Sequence, residues 1–123
     1  MAFLDNRVFD NGLTILDTEA NVVHVTSAEA TTYAAATSTL SLGNSTSLSI
    51  AAPSDRSGGG RKVTVSAISD GSITGTGTVT HYALVDTTNT RLLATAALTA
   101  SQSVTSGNTF TLASFDIGIP DPT

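Results

Sequence analysis

Two histidines, His24 and His81, are the only side chains of this 123-residue chain that ordinarily titrate near neutrality. A metal or general-base site would pair them with Asp17 or Asp86. Both histidines sit among β-branched neighbours, in NVVHVTS and TVTHYALV, so each reads as a strand residue with a structural role. Serine and threonine are abundant, but no G-x-S-x-G elbow is present, and a hydroxyl without a positioned base is inert. The run Ser57 to Gly60 followed by Arg61 and Lys62 superficially resembles a phosphate cradle. It lacks the G-x-x-x-x-G-K-[ST] spacing, and a strand pattern follows it instead of a helix. Asp5, Asp10, Asp116 and Asp121 are too scattered for a calcium loop, and the sequon Asn44-Ser45-Thr46 means little without secretion. The residues therefore predict no enzyme, no metal and no cofactor.

Charged residues make up 12% of the chain, about half the usual share. A surface so poor in charge is weakly defended against association, which predicts that much of it is covered in an assembly. The formal net charge of −5 argues against nucleic acid and anionic membranes as partners, since both reward clustered Lys and Arg. Arg56, Arg61 and Lys62 are the one basic cluster, around three glycines. With no cysteine there is neither a disulfide framework nor a thiol nucleophile. The first residues, MAFLDNRVFDNG, carry acids and no long apolar run, which predicts no secretory signal and synthesis in the cytosol.

The elements that would carry these residues are strands. Residues 1–12 read as an apolar N-terminal arm anchored by Phe3, Leu4, Val8 and Phe9, closed by an Asn11-Gly12 turn, with a short strand expected at Leu13 to Leu16. Asn21 to Ser27 predicts a strand. Ser27 as an N-cap, Glu29, and Ala34 to Ala36 predict one short helix. Leu40 to Ile50 suggests two short strands around Gly43-Asn44, and Pro53 with Gly58 to Gly60 marks an exposed loop. Lys62 to Asp70 alternates as a strand, and Asp70-Gly71 is expected to turn the chain into a meander over Gly75 to Ile119. A bulge is expected near Ala113-Ser114. Within the meander both faces of the strand around Val79 to Asp86 carry apolar groups, one for the core and one for a neighbour. The expected architecture is all-β: an antiparallel β-sandwich or small barrel over residues 13–123, with a C-terminal meander and one short helix.

The stretch TGTVTHYALVDTTNTRLLATAALTASQSVTSGNTFTL resembles a segment of small virion proteins from tailed bacteriophages and prophages. The matching positions are Ala83 to Asp86, Arg91 to Leu93, Leu98, Val104, Gly107, Thr109 and Phe110. FDNGLTILDTEANVVHVTSAEATTYAAA is similar to prophage proteins as well, so the likeness covers most of the chain. The resemblance implies a non-enzymatic structural protein of the virion, made in the bacterial cytoplasm. A capsid decoration, or cement, protein fits best: a homo-oligomer, commonly a trimer, bound to the major capsid protein. Tail, neck or fibre proteins are the alternatives, and a receptor- or glycan-binding module is disfavoured because Trp is absent and only Tyr33 and Tyr82 could stack on a sugar. On this reading Phe3, Leu4, Val8, Phe9, Arg56, Arg61 and Lys62 are the residues expected to touch neighbours.

Overall fold

The computed structural model of the chain describes residues 6–121. It opens with a helix, α1 (Asn6–Glu19), and continues as nine strands: β1 (Val22–Thr26), β2 (Ser41–Ser45), β3 (Ser54–Asp55), β4 (Arg61–Val65), β5 (Ile68–Ile73), β6 (Gly77–Asp86), β7 (Arg91–Val104), β8 (Thr109–Leu112) and β9 (Phe115–Ile119). A curled antiparallel sheet runs in the order β7-β6-β1-β2-β5-β8, and β3-β4-β9 form a second sheet. The protein is all-β and sandwich-like, as its alternation predicts.

The turn and strand expected at Asn11 to Leu16 are replaced by the middle of α1. Leu13 and Leu16 are buried three residues apart, while Ile15 is 41% exposed. A strand would have put Leu13 and Ile15 on one face; the burial has the period of a helix. The packed leucine face outweighs the cost of Gly12 in a helix interior, about 1 kcal/mol. Asp10 accepts two hydrogen bonds from the Arg61 guanidinium, at 3.0 and 3.3 Å, tying α1 to β4. At its other end Ala20 N donates to Leu16 O, Asn21 N donates to Val85 O, and the Asn21 amide clamps Thr87 through both its oxygen and its nitrogen.

Other local turn signals also yield to strand pairing. Gly43-Asn44 lies inside β2, which is hydrogen-bonded to β1 on one side and β5 on the other. Asp70-Gly71 lies inside β5, where Gly71 faces Phe110 across the ladder and the phenyl ring occupies the space a side chain would need. The predicted Lys62 to Asp70 strand is two strands, because the chain changes sheets at Ser66-Ala67. It does so again at Ala113-Ser114, where a bulge was expected. The two segments stay paired throughout, β5 with β8 in the large sheet and β4 with β9 in the small one.

The helical piece after β1 starts later than Ser27. Thr32 Oγ1 accepts from Ala35 N, and a π turn covers Ala35–Thr39. Glu29 is outside it. This segment covers the second apolar face of β6: Ala30 and Ala36 bury Ala83 and Val85, with Val22, Tyr33 and Leu92 around them. The other face packs the main core, built on Val23, Val25, Val63, Val65, Ile73 and Leu84. The face assigned to a neighbour is thus covered, over Ala83 and Val85, by the chain itself.

Candidate binding groove

The expected meander is complete only in its first half. β6 and β7 pair over most of their length, whereas β7 and β8, although joined by a short link, are not hydrogen-bonded to each other and form the two edges of the large sheet. Gly107 N donates to Ile73 O and Ile73 N donates to Asn108 O, so the link is held to β5, not closed as a hairpin. The two edges splay apart, leaving a cleft of about 230 Å³ near the link and one of about 330 Å³ farther along.

Two irregularities shape the larger cleft. In the β6–β7 ladder Val79 pairs with Gln102 and His81 with Ala97, so the four residues Leu98 to Ser101 face the single residue Thr80. That bulge pushes β7 outward, because unpaired residues must leave the plane of the ladder. On the opposite wall the chain leaves the large sheet at Ala113-Ser114. Between them lie Tyr82 and Phe115, whose ring centroids are 4.4 Å apart with planes tilted by 39°. Burial raises the Tyr82 phenol above its ordinary value, so it stays protonated and neutral.

No charged residue occurs from Leu92 to Phe115. The groove walls therefore offer hydroxyls and one amide, including Thr99, Ser101, Gln102 and Thr111, around an aromatic and aliphatic floor. Such a surface presents uncharged hydrogen-bonding groups beside apolar ones.

No protein-family model, curated protein or solved structure matches the chain.

The histidines occupy structural positions. His24, 7% exposed, shares a 2.8 Å hydrogen bond between its Nδ1 and Ser41 Oγ, and His81 Nδ1 shares one of 2.8 Å with Thr80 Oγ1. Asp86, considered as a partner for a histidine, instead accepts from Thr88 N, Asn89 N and Asn89 Nδ2 at the β6–β7 turn. The Asn89 side chain, followed by the backbone donors, holds its carboxyl below the usual carboxylate value. No group of three or more His, Cys, Asp or Glu side chains suited to a metal occurs among the described residues.

Burial depresses the His24 imidazole below its ordinary value of about 6.5. The fold favours the neutral ring, so its contribution is complete above about pH 6.5 and is lost as the pH falls below that value toward the depressed one. Stability to denaturant should decline between pH 7.5 and 5 in the natural chain, and the slope should be shallower in His24→Gln. An unchanged slope would exclude His24 as its source.

Of the residues expected to touch neighbours, Phe3 and Leu4 lie outside the described residues, as do the side chains of Val8 and Phe9, which are on α1. The basic cluster is gathered at the β3–β4 turn but is engaged internally. Arg61 binds Asp10 and, at 2.7 Å, Asp55; Lys62 pairs with Asp116 at 3.0 Å; Arg56 donates to the carbonyls of Ser57 and Gly59. Arg56, Lys62 and Asp116 also line a depression of about 390 Å³. No motif marks the groove in the sequence; its one signal there is the charge-free run Leu92 to Phe115.

Proposed function

We propose that the chain is a non-enzymatic structural protein of a tailed-phage virion, a decoration protein that binds the outer head surface and bridges neighbouring capsomers. The observation that carries an assembly role is the uncharged groove and strand edge of β7. Solvated edge strands are normally blunted by Lys, Pro, inward charges or bulges, and β7, although bulged at Leu98 to Ser101, carries no charge or proline from Leu92 to Val104. The virion context comes from the sequence resemblance. Many weak contacts repeated over a head lattice would sum to tight binding without any single large interface.

A glycan-binding reading is weaker. Tyr82 is only 8% exposed and presents no open ring on which a sugar could stack. No helix among the described residues is long and apolar enough to cross a membrane.

The deciding experiment adds purified protein to heads lacking it. The expected result is saturable co-sedimentation in fixed ratio to the major capsid protein, with heads that withstand higher temperature. Binding to tails or necks, or to neither, would overturn decoration; saturable binding on a glycan array would overturn the structural reading itself.

A further inference from the structure

We infer that the larger cleft between β7 and β8 is a binding site for a small uncharged aromatic molecule with a carbonyl oxygen, and that the phenol of Tyr82 donates a hydrogen bond to it. The observation that points to a ligand is the phenol itself. Tyr82 is 8% exposed, and a tyrosine at that depth ordinarily bonds its hydroxyl to the protein. Among the described residues no hydrogen bond shifts its acidity; burial is the one cause acting on it. Glu19 Oε1 is the one described side-chain polar atom sealed from solvent without a partner, so the phenol oxygen is reached from outside. The cleft is the cavity that Tyr82 lines.

The rest of the cleft selects the class of ligand. At about 330 Å³ it has the size of a small-molecule site, and such sites recur inside small barrels and at their mouths. Its floor is the tilted Tyr82–Phe115 pair, with Leu98 and Leu112 beside it, a surface that suits a ring. No charged residue occurs from Leu92 to Phe115, so an ionic ligand would lose its hydration there and gain no counter-charge. The protonated phenol offers one donor, and a carbonyl oxygen is its complement. An extended peptide fits less well. Leu98 to Ser101 stand four against one opposite Thr80, so that wall lacks the regular row of donors and acceptors that a pairing strand needs.

The inference is independent of the virion reading, because it is tested in solution without heads. The probe is prodan, an uncharged naphthalene ketone whose emission moves to shorter wavelength in apolar surroundings. Titrated into the full chain it should bind saturably, and the amide NMR signals that shift should fall within Ala97 to Gln102 and Thr111 to Phe115. Tyr82→Phe removes one neutral hydrogen bond and should weaken binding about three- to tenfold. Ala100→Trp places a large side chain into the cleft from an exposed position and should abolish saturable binding while leaving the amide spectrum of β1 and β2 unchanged. Absence of saturable binding, shifts outside the cleft, or equal affinity in Tyr82→Phe would each overturn the inference. So would equally tight binding of the anion anilinonaphthalene sulfonate in the cleft. Displacement of prodan by an equimolar blocked peptide of alternating threonine and valine would make the cleft a strand-pairing edge and overturn it as well.

Discussion

Leu84→Ala should lower the free energy of unfolding by about 3–4 kcal/mol, measured by urea titration at neutral pH. Leu84 is fully buried and is the largest of the side chains that lose all contact with solvent. It sits in the C-terminal half of β6, between Val23 of β1 and Ala94 of β7, so neither neighbouring strand can move in to fill the space without breaking its own ladder. A cavity there would stay open, and its cost would add to the lost transfer energy of the side chain. Domains of this size are stable by roughly 5–15 kcal/mol, so this one change would remove a large fraction of the total. Ile15→Ala on the exposed face of α1 should change stability by only about 0.5 kcal/mol. A loss below about 1 kcal/mol for Leu84→Ala would mean that the main core is not centred on β6.

The same strand shows how far the sequence could be read. Its run Val79 to Asp86 announces a strand apolar on both faces, and both faces are buried. What covers the second face, the segment around Ala30 and Ala36, was not legible, because small alanines in a polar stretch carry no mark of their partner. Asn11-Gly12, Gly43-Asn44 and Asp70-Gly71 were each strong turn signals, and each lies inside a helix or strand. Local turn chemistry there is outweighed by long-range pairing and by the Leu13–Leu16 face, which a short window does not contain. The groove escaped for the same reason. It arises from a four-against-one mismatch between β6 and β7 and from a change of sheet at Ala113-Ser114, both properties of register. The adjacent residues Leu92 and Leu93 serve two faces: Leu92 packs on the alanine cluster and Leu93 on the main core, where the ladder shifts between Leu84 and Val85. Within the basic cluster Arg61 ties α1 and β3 to β4 through Asp10 and Asp55, a role that the spacing of the charges along the chain does not reveal.

Gly60→Ala should be the most damaging change outside the core, costing about 3 kcal/mol, while Gly107→Ala should cost about 1 kcal/mol. Both glycines have positive φ, +91° and +92°, so both substitutions meet the same backbone penalty. Their surroundings separate them. A Cβ on Gly107 has nothing within 4 Å, whereas one on Gly60 would overlap the carbonyl oxygen of Ile119 and lie 2.8 Å from Pro120 Cα. Those are backbone atoms at the end of β9, which cannot rotate away as a flexible side chain would. Relief requires β9 to move, and β9 is hydrogen-bonded to β4 from Arg61 to Val65. The Gly60 carbonyl also accepts from Arg56 N at 3.1 Å, so the turn that orders Arg56 would loosen with it. Paired urea titrations read both energies. Equal losses at the two positions would show that the β3–β4 turn does not press against β9, and that the small sheet owes its position to the Val63 and Val65 core contacts alone.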